Sequence, residues 1–233
     1  MSKLRWKPLE ANPDVMNSYS KEIGLSPDWE FVDVYGLDRD SLLYLPQPCC
    51  AFILLFPITE KYEIFCKEEK EKQKDLQNSS VSVYFMKQTI GNACGTIGLL
   101  HSFGNNQYRE DFVKEGSILK SLLDASSNLS PEEKGKLLES NEDMCKAHQK
   151  SASEGQSREI SADEEVNLHF VAIVRVGTTI YEFDGRKPFP IDHGKCNEES
   201  DFVHCAAGVC LKFMARDPDE ARFTIVALCA KQT

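Results

Sequence analysis

Val166-Asn167-Leu168-His169-Phe170-Val171-Ala172-Ile173-Val174-Arg175-Val176-Gly177-Thr178-Thr179-Ile180-Tyr181-Glu182-Phe183-Asp184 reads as strand, turn, strand. The first run is rich in β-branched residues. Gly177-Thr178 puts glycine first, as a type II′ hairpin turn requires. Pairing through that turn sets Asp184 opposite Val171, with His169 as its diagonal neighbour on the same sheet face. A slip of one residue in the turn would set the two directly opposite, still on one face. A carboxylate so placed can hold an imidazole in one tautomer. A histidine on a half-exposed strand beside a turn aspartate is also a common, inert arrangement.

Working outward, Cys49 to Phe56 reads as a central strand buried on both faces. Glu30 to Val34 and Arg222 to Leu228 read as further strands. Val81 to Phe85 is a short strand-like segment. Asn12-Pro13 opens a first helix that Gly24 ends. A short helix follows Asp38 and stops before Pro46. Thr59 caps a charged helix from Glu60 to about Leu76, whose Lys/Glu mixture reads as a solvated face. Cys94 to Phe103 reads as a buried helix and Ser117 to Leu123 as a short one. Ser130-Pro131-Glu132-Glu133 is a capping box. A last helix runs from about Ser200 to Arg216. From Lys146 to Glu165 the polar run, His148 included, reads as a long exposed loop, mobile in the free protein. The whole suggests one α/β (α+β) domain over residues 1–233.

Composition limits the function. The chain has 233 residues, with 27 Lys and Arg against 37 Asp and Glu, for a net charge of −10. Such a chain repels phosphate backbones, so nucleic acid is not the expected partner, and a basic protein or peptide is. The longest apolar run, Ala51 to Phe56, is far short of the roughly 18–20 residues of a membrane span. The N-terminal residues lack a signal peptide's apolar stretch, so a cytoplasmic protein is expected. Nine cysteines, an odd number, lie at irregular spacing with no C-x-x-C. That disfavours zinc-knuckle and thioredoxin readings and leaves most of them as buried thiols. His193 and His204 lack ligand-spaced neighbours except Cys196 and Cys205, and no metal or organic cofactor is expected. His101 reads as a core residue.

Cys94 has the most informative surroundings of the nine. It follows the polar loop Gln88-Thr89-Ile90-Gly91-Asn92-Ala93 and starts an apolar helix. Unpaired N–H groups and the positive end of the helix dipole favour a thiolate there. The same local features also suit a buried structural cysteine. A thiol nucleophile needs a base, and the base an orienting group. His169 and Asp184 can supply both. The Gln88 amide can donate to an oxyanion alongside the Cys94 N–H. The chain order Gln, Cys, His, Asp is papain-like, but geometry decides.

Tyr84 to Gly98, Leu168-His169-Phe170 and Tyr181 to Pro188 closely resemble the active-site segments of the ubiquitin C-terminal hydrolases. Phe31 to Gly36 and Leu54 to Thr59 extend the resemblance, which runs from Trp6 to Leu228. Phe189 to Gly194 and Arg216 to Glu220 look most like the short L-three type, with the L-one type next. The resemblance implies a papain-like cysteine protease fold: an antiparallel central sheet flanked by helices, knotted, with a crossover loop over the active site. It implies Cys94 as nucleophile, His169 as general acid/base, Asp184 as its orienter and Gln88 as oxyanion support. It assigns Ala152, Ser153, Glu154, Gly155, Gln156, Ser157, Arg158 and Glu159 to the crossover loop. It gives Pro8, Leu9, Glu10, Ala11, Asn12 and Pro13, with Asp219, Glu220, Ala221, Arg222, Phe223 and Thr224, to ubiquitin binding.

The implied enzyme is a deubiquitinating thiol hydrolase, and a monomer is expected. It would cleave small adducts, peptides, esters and thioesters from the C-terminal glycine of ubiquitin, and of the Nedd-type modifier. The alternative is an L-one-like reservoir that binds ubiquitin and turns over slowly.

Overall fold

The computed structural model describes residues 4–72, 82–155 and 166–232, with only the backbone of 70–72. Six strands form one sheet: β1 (Trp29–Asp33), β2 (Cys49–Pro57), β3 (Leu168–Val176), β4 (Thr179–Phe183), β5 (Ile191–Lys195) and β6 (Thr224–Ala230). Their order is β1-β6-β2-β3-β4-β5, and every neighbouring pair is antiparallel. The helices are α1 (Pro13–Ile23), α2 (Arg39–Leu42), α3 (Glu60–Lys72), α4 (Cys94–Gly104), α5 (Ile118–Ser126), α6 (Pro131–Glu139), α7 (Glu142–Ala152) and α8 (Phe202–Arg216).

Period-two alternation divides the strands between two cores. Ile53, Phe170, Ala172, Phe183 and Val226 pack on one face with residues of α1, α4, α5 and α7. Phe52, Leu54, Phe56, Val171, Ile173 and Ala227 pack on the other with α8 and Tyr62. Cys49–Pro57 is therefore buried on both faces, between β6 and β3, as its unbroken apolar run predicts. This is the expected α+β architecture with an antiparallel sheet between helices. The expected knot concerns the path of the whole chain, part of which lies outside the described residues.

Local signals explain most helix ends. Asn12 caps α1 through Asp14 N–H, and Gly24 ends it at φ 117°. Ser130 and Glu133 form the capping box of α6. Tyr62 N–H donates to Thr59 Oγ1 at the start of α3. The foreseen continuation of α3 toward Leu76 lies outside the described residues.

Four expectations are corrected. The exposed loop does not begin at Lys146, because residues up to Ala152 belong to α7. Met144, Ala147, His148 and Ser151 recur at helical spacing and are buried, a pattern hidden by the polarity of two of them. His148 is accordingly a core residue. Residues 82–85 form no strand, because α4 takes their backbone groups. Asn105 bonds both N–H and C=O of Tyr84, and His101 Nε2 accepts from Met86 N–H. The last strand starts at Thr224 rather than Arg222, and β5 was not foreseen. Of the charged face of α3, Glu63 and Glu69 are engaged in ion pairs with Arg186 and Lys187.

One charged cluster is buried beside the sheet. Glu182, on β4, is fully buried, with Lys187 Nζ 2.6 Å and His193 Nε2 2.9 Å from its two oxygens. Burial works against its charge, but Lys187, His193 and Arg216 outweigh that and hold its carboxyl down to about 2. Its contribution to stability is therefore complete above the ordinary value of 4.5 and lost as pH falls through about 2. Glu182→Leu should cost about 3 kcal/mol at neutral pH, because it removes one of the two carboxylates that pair the buried Lys187 ammonium. Urea unfolding midpoints at unchanged slope are the check.

Candidate active site

The β3–β4 register pairs Ala172 with Phe183 and Val176 with Thr179, which places Val171 opposite Asp184. Gly177 takes the positive φ, 60°, that the turn demands. His169 and Asp184 then meet as expected: Nε2–H donates to Asp184 Oδ1 at 2.7 Å, with both residues buried. Arg186 N–H donates to the same Oδ1 at 2.8 Å, and Tyr62 O–H donates to Oδ2 at 3.2 Å. Phe56, the β2 residue paired with His169, sets its ring edge-on to the imidazole at 5.9 Å.

Cys94 is the first residue of α4 and is nearly buried. The His169 ring is near enough for the sulfur to act on its charge. Because Nε2 is committed to Asp184, Nδ1 is the nitrogen left for the thiol. No side chain caps the N-terminus of α4, so its first N–H groups keep their positive potential toward the sulfur. Burial opposes charge on the His169 ring, but Asp184 and then Cys94 outweigh it and lift the imidazole to about 10. The same pairing holds Asp184 well below the ordinary carboxylate range against its own burial. At neutral pH the ring is an imidazolium between a carboxylate and a sulfur.

Gln88 is tied to the same strand end. Its backbone N–H donates to Gly185 O at 2.9 Å, and a Cβ on Gly185 would lie 2.9 Å from the Gln88 Cβ. The side-chain Nε2 donates to Ile90 O at 3.2 Å, which leaves its second N–H uncommitted by that bond. Oε1 is buried without a partner.

Cys94 opens into a cleft of about 490 Å³, lined by Pro8, Leu9, Glu10, Ala11, Ala152, Ser153, Gly155, Leu168, Phe170 and Thr224 among others. The N-terminal segment reaches it by pairing with the loop before α4: Trp6 N–H donates to Gly91 O, and Gly91 N–H to Leu4 O. Leu9 lies against Gly95, where a Cβ would come within 3.1 Å of it. Across the cleft, a Cβ on Gly155 would lie 2.4 Å from a Glu10 carboxylate oxygen. Glu154 accepts from Ser18 on α1 at 2.8 Å.

Not every expected residue lines this cleft. Asn12 and Pro13 serve the start of α1. Arg222, Phe223 and Thr224 line an adjoining groove that shares Leu55, Val166, Leu168 and Thr224 with the cleft. Asp219 pairs with Lys61, and Glu220 with Arg222. Ala221 takes no part in either wall. Gln156, Ser157, Arg158 and Glu159 lie outside the described residues. Sequence reasoning missed Leu55, Asn92 and Phe170 as cleft residues and Tyr62 as a partner of Asp184. Neither the positive φ of Asn92 (60°) nor the exposure of Leu168 at the start of β3 leaves a mark in the sequence. Among the described residues, no group of three His, Cys, Asp or Glu side chains is placed to hold a metal ion.

A thiol, an imidazole and a carboxylate in line beside an open cleft define the class of thiol-dependent hydrolases. The chain belongs to the ubiquitin carboxyl-terminal hydrolase family 1, whose model matches residues 6–215. It is similar to the ubiquitin carboxyl-terminal hydrolase isozyme L1 of Monodelphis domestica, 46% identical over 226 residues, 97% of this chain and 99% of that one. The human isozyme L1 is 45% identical over the same shares of each chain. Among solved structures, the Trichinella spiralis UCH37 catalytic domain bound to ubiquitin vinyl methyl ester superposes with a TM-score of 0.77 at 24% identity. The superposition covers 97% of this chain and 96% of that one, and supports the papain-like fold.

The geometry yields a pH test. The folded-state value of His169 lies above its ordinary 6.5, so its stabilisation is complete below pH 6.5 and lost as pH rises through about 10. Asp184 is depressed, so its share is present above its ordinary 3.8 and lost below it. Asp184→Asn should bring the His169 titration down to or below its ordinary 6.5, because burial is then no longer outweighed. Imidazole NMR shifts across the pH range are the measurement.

Proposed function

We propose that Cys94, His169, Asp184 and Gln88 carry out hydrolysis at the C-terminal glycine of ubiquitin. The observation that carries the reading is the buried His169–Asp184 pair beside Cys94, which opens α4 at the mouth of the cleft. Cys94 Sγ attacks the carbonyl after the terminal glycine. The α4 N-terminus and the Gln88 amide face the developing oxyanion. His169 delivers its proton to the departing amine, alcohol or thiol. Water then attacks the acyl-enzyme, with His169 as base.

The cleft beside Cys94 is the proposed seat of the modifier's tail. Pro8 to Ala11 line it together with Ala152, Ser153 and Gly155, the two segments meeting at Glu10 and Gly155. Glu10 and the net charge of −10 suit a tail that carries arginines. Asp219 to Thr224, beside the adjoining groove, would hold the modifier further from the bond cleaved. If residues 152–159 cross above the cleft, a folded leaving group cannot thread it, and small adducts are preferred. The same cleft would accept a Nedd-type modifier with a similar tail. We assign the chain to the short, L-three-type members acting as a monomer in the cytoplasm. Among the described residues no helix is long and apolar enough to cross a membrane.

Incubation with ubiquitin bearing a C-terminal electrophile should add one ubiquitin mass, and Cys94→Ser should abolish the addition. Non-covalent binding without any addition would overturn the hydrolase reading. In steady-state assays, kcat/KM on a ubiquitin amide of a short peptide should exceed that on a folded-domain conjugate by more than about tenfold. Equal values would remove the threading argument.

A further inference from the structure

The helix α3 reads in sequence as a solvated rod, yet its first turns hold the segment that carries Asp184. Glu63 Oε1 lies 2.7 Å from Arg186 Nη2, and Glu69 Oε2 lies 2.5 Å from Lys187 Nζ. Between them in space, Tyr62 O–H donates to Asp184 Oδ2 at 3.2 Å. The other carboxylate oxygen is occupied by His169 and by Arg186 N–H. Tyr62 therefore supplies the side-chain donor to the oxygen that His169 leaves open.

Its ring is held as firmly as its hydroxyl. Tyr62 is buried, meets Phe56 edge-on at 4.7 Å and stacks on Phe213 at 6.3 Å. Phe56 also meets the His169 ring, so one phenylalanine braces both partners of Asp184. Burial, with Asp184 and Glu182 nearby, pushes the phenol far above its ordinary value. The hydroxyl keeps its proton throughout the working pH range and is always a donor.

We propose that Tyr62 is a positioning residue for the hydrolysis: by holding Asp184 Oδ2 it fixes the rotation of the carboxylate, and through it the ring of His169 facing Cys94. The inference rests on the assignment of Asp184 as the orienter of His169. Without the hydroxyl, Oδ2 is a buried, unpaired charged oxygen, and the carboxylate turns to find another donor. His169 then loses its alignment although every catalytic side chain is still present.

The test is a double-variant cycle on the full chain, with a ubiquitin amide substrate. Tyr62→Phe should lower kcat about tenfold and leave KM within about twofold. In an Asp184→Asn background, the same substitution should change kcat by less than about twofold, since the group it positions is gone. Imidazole NMR shifts of His169 in folded Tyr62→Phe, a readout that needs no turnover, should move from those of the parent chain, and unchanged shifts would overturn the proposal. Unchanged kcat in Tyr62→Phe, or losses that multiply fully in the double variant, would overturn the proposal. Unchanged kcat in Asp184→Asn alone would instead overturn the catalytic reading beneath it, and the proposal with it.

Discussion

The 2.7 Å bond between His169 Nε2 and Asp184 Oδ1 organises the rest of the site. It exists because the β3–β4 register brings both residues to one sheet face, and because Gly177 accepts the backbone conformation of the turn. Burial alone would discharge the imidazole, yet the carboxylate keeps it charged. Everything else either holds that pair or brings a sulfur to it. β2 sets Phe56 against the ring, and the Gln88 loop is tied to Gly185, directly after Asp184. The sheet is thus a register device: a slip of one residue in either neighbour would exchange a core side chain for a catalytic one.

The proposed nucleophile depends on a different device. Cys94 begins a helix that is buried along its whole length, and most polar side chains of α4 find partners around it or on its own backbone. Thr96 lies within hydrogen-bond distance of Tyr19 and His148, Ser102 donates to Gly98 O, and Asn105 and Asn106 reach backbone carbonyls. A rigid, fully packed helix fixes its first residue more precisely than a loop could. The missing side-chain cap at Ala93 leaves the helix's positive end open at the place where negative charge develops.

The parts of this arrangement that follow from local chemistry were legible in the sequence. The hairpin turn, the caps at Asn12 and Ser130, the apolar run of β2 and the start of α4 each have a short-range cause. Gln88, Cys94, His169 and Asp184 could be nominated from such signals, and the resemblance named their roles. Long-range replacements were not legible. Residues 82–85 look like a strand, and only the side chains of Asn105 and His101 make a strand unnecessary. Helix α7 carries histidine and serine on its buried side, so a reading by apolar period passes over it. Tyr62 stands in a charged helix whose contacts with residues 184–187 depend on where two distant elements meet.

Three buried histidines show how finely the charge is placed. His101 and His148 are both lowered to about 4 by burial, because neither faces a carboxylate closely enough to offset it. His148 is a neutral joint. Lys7 O can only accept, so the proton is on Nε2, 2.6 Å away, and Nδ1 lies 2.8 Å from the Thr96 hydroxyl oxygen. Through that ring, α7 is bonded both to the N-terminal segment that lines the cleft and to the first turn of α4. His169 is equally buried but lifted to about 10, since Asp184 stands on one side and Cys94 on the other. The same side chain at the same depth is therefore a neutral strut in two places and a cation in the third. Near neutral pH, of these three rings only that of His169 is positive, and it lies beside the sulfur whose negative form is the nucleophile.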